Sequence, residues 1–419
     1  MEKIKITPSP LCGEITVPPS KSAAHRNIIA AALSDGCSVI SPACHSDDID
    51  ATIRCVTALG ATITEKDGAF YIKGIDKTAC FGKVATLDCG ESGSTLRFML
   101  PIAAALGVNA TFIGRGQLPN RPITPLVEIL KEFGVKCSAD RLPLTISGKL
   151  NKGCYNISGD ISSQYLTGLL FACPITSGSA NLTTPLQSAG YVDLTIKILS
   201  NFDVKITQNG NTYMVNGQYT PSNQTIEGDW SQACFFLSAA AMGGKIKIKG
   251  LDFNSTQGDK SVLEIYKAFG TKIEIKEDCL YAEGNLLNGL EINCAQIPDA
   301  VPALAVTGAV SHGQTKIIGG ERLRFKETDR IKTVIDGLNN MGISVIELPD
   351  GMIITSGRAK GATVSGANDH RIVMAFAVLA AYSVGDTIIE GYTAINKSYP
   401  NFFDDFKALG GIANVITDR

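Results

Sequence analysis

The chain has 419 residues, of which 44% are hydrophobic and 19% are charged. This length exceeds one ordinary hydrophobic core, so it predicts a globular protein of two domains. The formal net charge of -2 argues against nucleic acid as the main partner. No stretch approaches the length of an apolar, membrane-spanning helix, so a membrane is not expected as a partner either.

The N-terminal segment and the cysteines indicate the compartment. The opening MEKIKITPSP lacks the apolar core of a signal peptide, and we expect a cytoplasmic protein. The 12 cysteines include no C-x-x-C pair and stand mostly in apolar context, as small buried side chains do in a reducing compartment. With 4 histidines and no H-E-x-x-H motif, the sequence predicts no zinc site.

Taken in chain order, the predicted elements repeat. An apolar helix rich in small residues is predicted to begin at intervals of about 70 residues, which indicates one structural unit copied several times. These predicted starts lie near Ser20, Ser92, Ser162, Ser231, Asp299 and Asp369. Helices such as IVMAFAVLAAY are apolar on nearly every side, so they must be buried.

Each apolar helix is followed by a short strand and then by a second recurring string. That string reads helix, glycine, strand, polar turn, strand, as in CVTALGATITEKDGAFYIKG and IYKAFGTKIEIKEDCLYAEG. The glycine suits a left-handed helix cap, and the strand pair suits a hairpin. A truncated copy, DFKALGGIANVI, ends the chain, and six copies predict three units in each of two domains.

Polar and turn-forming residues mark the predicted domain boundaries. The stretch YTPSNQTIEGDW follows the third unit, and VPPS precedes the first apolar helix. We therefore predict one discontinuous domain from residues 1–17 with 228–419 and a second from 18–227. The two crossover segments are expected near 18–19 and 225–228, so the first strand is expected to join the C-terminal half.

Basic side chains gather at the starts of the apolar helices. In PPSKSAAHR, Ser20 is a good N-cap, yet Lys21, His25 and Arg26 crowd a helix end that already carries about half a positive charge. These cations are either solvated or neutralised by a bound anion. If three helices run parallel in each domain, their N-termini converge and form a site suited to phosphate or carboxylate.

For most motifs taken alone, a structural explanation stays open. GESGSTLR and DISSQ can be capping clusters, and Arg121 in LPNRPITPL can be exposed to solvent. ERLRFKETDR can be a surface helix of ion pairs, with Lys326 and Arg330 as i, i+4 neighbours of like charge. DHR is harder to explain in this way, because Arg371 opens a buried helix and needs an anion or an acidic partner.

The motifs together resemble one family over the whole chain, the 5-enolpyruvylshikimate-3-phosphate synthase (3-phosphoshikimate 1-carboxyvinyltransferase) family of enolpyruvyl transferases. They are PPSKSAAHR, GESGSTLRF, NRPITPL, DISSQ, SAGYVDLT, EGDWSQACFFL, PDAVPALA, RFKETDRI, DHRIVMAFA and KSYPNFF. The resemblance implies an α/β fold, a two-domain inside-out α/β barrel with three βαβαββ repeats per domain around buried parallel helices. It also implies transfer of the enolpyruvyl group of phosphoenolpyruvate to the 5-hydroxyl of shikimate 3-phosphate, in the shikimate pathway of aromatic amino acid biosynthesis.

The resemblance further assigns residues to the two substrates. The shikimate 3-phosphate side would comprise Lys21, Ser22, Arg26, Ser162, Ser163, Gln164, Ser188, Tyr191, Asp299 and Lys326. The phosphoenolpyruvate side would comprise Lys21, Gly93, Arg121, Gln164, Arg330, Arg371 and Lys397. The catalytic residues would be Asp299, Glu327, Lys21 and Lys397, with Asp299 and Glu327 as the proton-transfer pair. No metal and no cofactor are implied, and we expect a monomer whose partners are the two small substrates.

Three departures from the family pattern and two alternative functions accompany this assignment. The stretch before Gly93 reads Gly-Glu-Ser-Gly rather than Gly-Asn-Ala-Gly, SAGY lacks a lysine found in some members, and Arg322 replaces an asparagine. One alternative is UDP-N-acetylglucosamine 1-carboxyvinyltransferase, but the loop GRGQLPNRP lacks the reactive cysteine usual there. The other is a non-catalytic phosphoanion-binding protein, which would leave Asp299 and Glu327 without a role.

Overall fold

The computed structural model describes residues 2–416. Contacts divide the chain into two compact units, one of Met1–Pro18 with Glu227–Arg419 and one of Pro19–Ile226. We call these the discontinuous unit and the continuous unit. The domain boundaries predicted from the sequence lie next to the bounds of these two units. That each unit is a separate domain stays a prediction.

Twelve α-helices lie within residues 2–416. They are α1 Lys21–Leu33, α2 Asp47–Leu59, α3 Gly93–Leu106, α4 Thr124–Glu132, α5 Ser163–Thr176, α6 Ala189–Asn201, α7 Trp230–Ala241, α8 Val262–Phe269, α9 Val301–Val310, α10 Arg330–Asn340, α11 His370–Ala381 and α12 Phe402–Ala408. Short 3-10 turns span Lys77–Ala79, Leu118–Asn120, Gly258–Ser261, Pro298–Ala300, Glu321–Phe325 and Tyr392–Lys397.

The strands of the same residues are short and evenly spread along the chain. The first twelve are β1 Lys3–Thr7, β2 Cys12–Thr16, β3 Cys37–Ser41, β4 Thr62–Lys66, β5 Ala69–Lys73, β6 Val84–Asp88, β7 Asn109–Ile113, β8 Lys136–Cys137, β9 Leu144–Ser147, β10 Cys154–Ile157, β11 Ser179–Leu182 and β12 Lys205–Asn209. The others are β13 Thr212–Asn216, β14 Gln224–Thr225, β15 Lys245–Lys249, β16 Lys272–Lys276, β17 Cys279–Glu283, β18 Glu291–Asn293, β19 Gln314–Ile318, β20 Ser344–Leu348, β21 Gly351–Thr355, β22 Thr363–Ser365, β23 Thr387–Glu390 and β24 Ile412–Ile416.

Three four-stranded sheets of one design make up the strand layer of the continuous unit, within the part of the chain that is described. Their orders are β14-β3-β5-β4, β6-β7-β9-β8 and β10-β11-β13-β12. In each sheet the first two strands are parallel and the others antiparallel, as when β6 pairs with β7 across α3. This is the βαβαββ unit that the resemblance implies, and β14 supplies the missing first strand of the first unit.

The discontinuous unit has the same design, again counted over residues 2–416. Its sheet orders are β16-β17-β15-β2, β18-β19-β21-β20 and β22-β23-β1-β24. Strand β1 pairs antiparallel with both β23 and β24, and β2 pairs parallel with β15. The N-terminal strands therefore complete two units of the C-terminal half: β1 completes the last unit, and β2 supplies the first strand of the unit that contains β15.

The apolar helices form the core of each unit. Eleven of the thirteen residues of α1 are buried, and every residue of α7 and α11 is buried. A helix that is apolar all round lowers its free energy only when neighbours cover every face, so these helices lie inside the sheets. The inside-out α/β architecture follows from that burial.

Polar caps set where the buried helices begin. Ser20, Ser92 and Ser162 accept hydrogen bonds from backbone N–H groups in the first turns of α1, α3 and α5. Asp229 and Asp369 do the same for α7 and α11. Each such cap stabilises its helix by about 1 kcal/mol. The α7 cap is thus Asp229 rather than a serine, and Ser231 lies inside the first turn.

The charged stretch ERLRFKETDR differs from the surface helix that was one of its explanations. A 3-10 turn spans Glu321–Phe325, Lys326 has an extended backbone with ψ of -153°, and α10 begins only at Arg330. Asp329 caps α10 by accepting from the Lys332 N–H. Lys326 and Arg330 are therefore not neighbours on one helix, so the expected like-charge repulsion on a helix face does not arise.

No helix in residues 2–416 is both long enough and apolar enough to cross a membrane.

Candidate active site

Hydrogen bonds join neighbouring helices of the continuous unit, and the first of them links the N-terminal turns of the buried helices α3 and α5. The Gln164 Nε2 of α5 donates to the Ser94 Oγ of α3 over 2.9 Å. The Arg26 Nε of α1 donates to the Thr195 Oγ1 of α6 over 2.8 Å. Helix N-termini present unpaired backbone N–H groups and the positive ends of helix dipoles, so their convergence favours an anion.

Lys21 is held at the start of α1 by an ion pair. Its Nζ lies 2.8 Å from the Asp48 Oδ2 of α2, with 15% of the lysine side chain exposed. The backbone carbonyl oxygen of Asp48 also lies 3.4 Å from the Thr95 hydroxyl oxygen of α3. Asp48 thus directs the ammonium group while its own position is fixed from α3.

A buried chain of hydroxyl groups links the same helices. The Thr52 Oγ1 lies 2.7 Å from the His25 Nδ1 and 2.7 Å from the Thr95 Oγ1, which in turn donates to the Ser92 Oγ over 2.8 Å. Burial, with the cations of Lys21 and Arg26, lowers the pKa of His25 well below 6.5. His25 is therefore a neutral member of a structural network rather than a third cation for a ligand.

Arg26 is a buried cation that contacts neutral oxygens. Its guanidinium donates to the Ser22 carbonyl over 2.7 Å and to the Tyr191 carbonyl over 3.0 Å, and only 2% of the residue is exposed. Within residues 2–416 it makes no ion pair at 4.0 Å or less. Burial lowers its pKa to about 10. A buried guanidinium of this kind is stabilised when an anion binds beside it.

Gly93 and Arg121 lie in direct contact. A Cβ added to Gly93, the first residue of α3, would stand 2.7 Å from the Arg121 Nη1 and 2.8 Å from its Cζ. Arg121 is 7% exposed and follows the 3-10 turn Leu118–Asn120, so it is not the solvated loop arginine that was one of its explanations. Only a glycine lets the planar guanidinium lie over this helix start.

The hydroxyl groups of DISSQ and SAGY flank the same region. Ser162 caps α5 through the Gln164 N–H, and Ser163 is buried as the first residue of the helix. Ser188 precedes α6 with a left-handed φ of 55° and is 3% exposed. Tyr191 is half-buried in the first turn of α6. A serine held in this strained conformation indicates a local requirement beyond chain reversal.

In the discontinuous unit, three cations surround one carboxylate. The Asp299 Oδ1 lies 2.8 Å from the Arg330 Nη1 and 3.3 Å from the Lys326 Nζ. Its Oδ2 lies 3.4 Å from the Arg371 Nη2, and its carbonyl accepts from the Arg371 Nη1 over 3.0 Å. Asp299 stands in the 3-10 turn before α9, so this cluster joins the starts of α9, α10 and α11.

Arg330 is the most densely paired of these cations. Its Nε and Nη2 both reach the Asp369 carboxylate, over 2.7 Å and 3.3 Å, and its Nη2 lies 2.8 Å from the Glu327 Oε2. The side chain is 1% exposed. Burial alone would lower its pKa, but the carboxylates of Asp369, Glu327 and Asp299 hold that pKa above its ordinary value.

Two buried or partly buried lysines, Lys326 and Lys397, add positive charge to the discontinuous unit. The pKa of Lys326 is lowered to about 8, mainly by burial; the Asp299 carboxylate opposes this shift, and the Arg330 cation contributes to it. Lys397 is 5% exposed and donates to the Asn368 carbonyl over 2.6 Å. A lysine with a pKa near neutrality can release and regain a proton under physiological conditions.

Three residues of these clusters escape the sequence analysis. Asp369 clamps Arg330, Asp48 holds Lys21, and Arg97 contacts Gln164 over 2.6 Å. Arg97 could have been identified from the sequence, because it is a charged residue within a predicted apolar helix, as Arg371 is. Asp369 gives no signal beyond helix capping, and Asp48 gives none beyond an acidic residue in the first turn of α2, because partners that are distant in sequence decide their roles.

Within residues 2–416 no group of three or more histidine, cysteine, aspartate or glutamate side chains is arranged to hold a metal ion.

Comparisons with known proteins agree over almost the whole chain. A sequence profile of EPSP synthase (3-phosphoshikimate 1-carboxyvinyltransferase) matches residues 6–406. The 3-phosphoshikimate 1-carboxyvinyltransferases of Clostridium novyi and Clostridium kluyveri are 43% and 42% identical to the chain, each match covering 98% of both sequences.

Solved structures match equally completely. The structure of EPSP synthase from Acinetobacter baumannii superposes with a TM-score of 0.82 at 25% identity and covers 100% of both chains. The enolpyruvyl transferase NikO from Streptomyces tendae superposes with a TM-score of 0.79 at 16% identity, covering 100% of this chain and 99% of its own. The second likeness shows the fold alone.

Proposed function

The chain belongs to the EPSP synthase family, and we propose that it transfers the enolpyruvyl group of phosphoenolpyruvate to the 5-hydroxyl of shikimate 3-phosphate. The reaction releases phosphate and forms 5-enolpyruvylshikimate 3-phosphate, a step of the shikimate pathway toward chorismate and the aromatic amino acids. The curated relatives that carry this activity in their names match over 98% of the chain.

One observation carries the proposal beyond family membership: the cluster of Asp299, Glu327, Lys326, Arg330 and Arg371. It combines guanidinium groups, which bind carboxylate and phosphate in a forked geometry, with carboxylates able to exchange protons. Two carboxylates beside the cations compete with an anionic ligand, so a protein that only bound anions would bind them more weakly because of Asp299 and Glu327. Their presence supports catalysis over simple binding.

The chemistry requires proton transfer in both directions. The C3 of phosphoenolpyruvate must gain a proton while the attacking hydroxyl loses one, and the tetrahedral intermediate must then lose a proton from C3 as phosphate leaves. We assign this exchange to Asp299 and Glu327, assisted by Lys21 and Lys397. Lys326, whose pKa lies at about 8, stands 3.3 Å from Asp299 and can modulate the charge of that carboxylate.

The substrate-binding residues are proposed in two groups. For shikimate 3-phosphate we propose Lys21, Ser22, Arg26, Ser162, Ser163, Gln164, Ser188, Tyr191, Asp299 and Lys326. For phosphoenolpyruvate we propose Lys21, Gly93, Arg121, Gln164, Arg330, Arg371 and Lys397. The buried guanidinium of Arg26 and the contact of Arg121 with Gly93 support these assignments.

The thiols argue against the cysteine-dependent alternative that acts on UDP-N-acetylglucosamine. No cysteine stands in residues 114–122, and the neighbours in sequence are Cys89 and Cys137. The side-chain interaction with Cys55, which favours the protonated Cys89 thiol, together with burial raises the pKa of Cys89 well above 9, and burial raises the pKa of Cys137. A thiol with a raised pKa neither attacks readily as a thiolate nor readily gives up its proton, so we assign proton transfer to other groups.

Three further attributes belong to the proposal. We propose that the enzyme is cytoplasmic, that it acts as a monomer, and that nucleic acid is not a partner. The two small substrates are then its partners, and its chemistry uses no bound metal or organic cofactor.

Phosphate release from phosphoenolpyruvate tests the proposed function directly. It is measured with shikimate 3-phosphate, with UDP-N-acetylglucosamine and without an acceptor, and only the first mixture should turn over. Release with UDP-N-acetylglucosamine alone would identify the alternative transferase, and release with neither would count against catalysis.

Glu327→Gln tests the proton-transfer assignment. The change keeps the shape of the side chain and removes its titrating proton, so turnover should fall by about 100- to 10,000-fold while both substrates still bind. Glu321→Gln, in the exposed start of the same segment, is the matched control and should remain active. A fully active Glu327→Gln enzyme would contradict the assignment.

A further inference from the structure

Arg97 and Gln164 form the closest polar contact between α3 and α5. The Arg97 Nη1 donates to the Gln164 Oε1 over 2.6 Å, and the Gln164 Nε2 donates to the Ser94 Oγ over 2.9 Å. Gln164 is half-buried, whereas Arg97 is 4% exposed. The two ends of one amide are therefore engaged by two residues of the same helix.

The chemistry of the partners decides which way the amide faces. A serine hydroxyl can donate or accept, so Ser94 is compatible with either orientation of the Gln164 amide. A guanidinium carries only donors, so Arg97 requires the carbonyl oxygen on its own side. Arg97 alone therefore defines the polarity of this amide.

Arg97 is itself fixed independently of Gln164. Its Nη2 donates to the Pro122 carbonyl over 3.1 Å, and its guanidinium carbon lies 5.5 Å from the centre of the Tyr165 ring. The Tyr165 hydroxyl donates to the same Pro122 carbonyl over 2.6 Å. Pro122 follows Arg121, so the same guanidinium also ties down the segment that carries Arg121.

We infer that Arg97 is a positioning residue that keeps the Gln164 amide nitrogen, rather than its oxygen, available to an anionic substrate. The amide nitrogen has two N–H groups, and Ser94 accepts one of them. The second N–H serves a phosphate or carboxylate oxygen, whereas an inverted amide would present an acceptor to an anion and repel it. This inference rests on the proposed function, in which Gln164 contacts both substrates.

The inference distinguishes Arg97 from a residue that only stabilises the fold. A positioning residue acts through Gln164, so its loss should matter little once the Gln164 amide is gone. A purely structural arginine would have the same effect in either background. A double-mutant cycle separates these two cases.

The experiment compares Arg97→Met, Gln164→Ala and the double variant. KM for each substrate is measured by turnover, and Kd for shikimate 3-phosphate is measured by calorimetry. Each single variant should raise KM and Kd by about tenfold, the effect of one hydrogen bond to a charged group. In the Gln164→Ala background, Arg97→Met should change the Kd for shikimate 3-phosphate by less than about twofold. The KM for phosphoenolpyruvate is left out of this comparison, because Arg97 also holds the segment that carries Arg121. Equal effects of Arg97→Met in both backgrounds would overturn the inference.

Gln164→Glu provides an arm that leaves Arg97 and its packing intact. The carboxylate keeps an oxygen beside Arg97 and places a second oxygen where the amide nitrogen stands. Substrate affinity should therefore fall further than in Gln164→Ala, because repulsion replaces a missing hydrogen bond. An affinity equal to or above that of Gln164→Ala would contradict a role for amide polarity.

Two control variants distinguish a loss of fold stability from a loss of the Gln164 amide orientation. Tyr219→Phe removes a buried hydrogen bond of 2.8 Å to the Phe171 carbonyl on α5, so it should lower the melting temperature without changing KM or Kd. Arg97→Lys retains a donor for the Gln164 oxygen and should restore most of the affinity lost in Arg97→Met. If the wild-type protein binds shikimate 3-phosphate but shows no turnover, this result counts against the proposed function and not against the inference. The Kd values of the four proteins can still be compared by calorimetry, and that comparison tests the role of Arg97.

Discussion

Arg330 illustrates how a single buried side chain can organise a charged site. Three carboxylates neutralise its guanidinium, and Asp369 binds it through two of its nitrogens. Burying one unpaired charge costs several kcal/mol, so these groups are stable only as a set. The position of Glu327 and Asp299 thus depends on the same guanidinium that is proposed to receive phosphoenolpyruvate.

Asp369→Asn should reveal how strongly Arg330 depends on its innermost partner. Asparagine still caps α11, so the change removes charge without removing the cap. We expect a loss of about 3 kcal/mol in the free energy of unfolding, because Arg330 keeps fewer carboxylates in a buried place. Denaturant unfolding measures this loss.

Asp329→Asn is the matched control for that change, since Asp329 caps α10 and is half-exposed. Its partner Arg324 lies 3.0 Å away near the surface, and we expect a loss below about 1 kcal/mol. If the two variants lose the same free energy of unfolding, the buried pair of Asp369 and Arg330 stabilises the protein no more than the partly exposed pair of Asp329 and Arg324.

Lys326 should set the alkaline limb of the pH profile. Its pKa of about 8 means that the ammonium cation is present below that pH and is lost as the pH rises through it. If the cation binds substrate, kcat/KM must fall above about pH 8, since this ratio reports the free enzyme. Lys326→Arg, which stays protonated, should shift the fall to higher pH.

Lys332→Arg, an exposed change on α10, should leave that profile unchanged. An alkaline limb that persists unaltered in Lys326→Arg would assign it to another group.

At the scale of elements, α3 and α5 approach closely because Gly168 stands between them. A Cβ at this position would lie 2.2 Å from the Arg97 carbonyl oxygen and 2.9 Å from the Pro101 Cγ. A backbone oxygen cannot move aside without moving its helix. The close approach is also what allows Arg97 to reach Gln164 from the neighbouring helix.

Gly168→Ala should therefore force the two helices apart. We expect a loss of stability of about 1 to 3 kcal/mol from overpacking, together with weaker substrate binding as the Arg97–Gln164 contact lengthens. Thermal unfolding and calorimetric binding give the two quantities.

Glu128→Ala, on the exposed face of α4, should change stability by less than about 0.5 kcal/mol and leave binding intact. A Gly168→Ala protein as stable as the wild type would show that the helices can accommodate the added methyl group.

At the scale of the whole molecule, the described residues contain two separate hydrophobic cores. One core includes Phe236 on α7 and the other includes Leu169 on α5, both completely buried. Each core is closed by its own three sheets. Separate cores favour separate cooperative units of unfolding.

Two core variants test whether each unit is a domain in this energetic sense. Phe236→Ala and Leu169→Ala should each cost about 3 to 5 kcal/mol, the usual effect of emptying a buried aromatic or leucine position. In calorimetry, each should lower the transition of its own unit and leave the other near its wild-type temperature. A single transition that both variants shift alike would show one cooperative unit instead.

The sequence by itself determined the repeated unit, the buried helices and approximately where those helices begin. Composition decides burial, because a helix such as α11 has no polar face to expose, and capping serines and aspartates mark where helices start. The family motifs are likewise local strings. The assignment of the first strand to the C-terminal half also follows from a local signal, the break at Pro18 and Pro19.

Only the tertiary structure decided which side chains meet. Arg97 contacts Gln164 across 67 positions, Arg330 contacts Asp369 across 39, and Lys21 contacts Asp48 across 27. No local pattern specifies such pairs, because the approach of helices that pack through small residues sets their distances. The same reason explains the extended backbone of Lys326, whose charge is arranged around Asp299 rather than along a helix face.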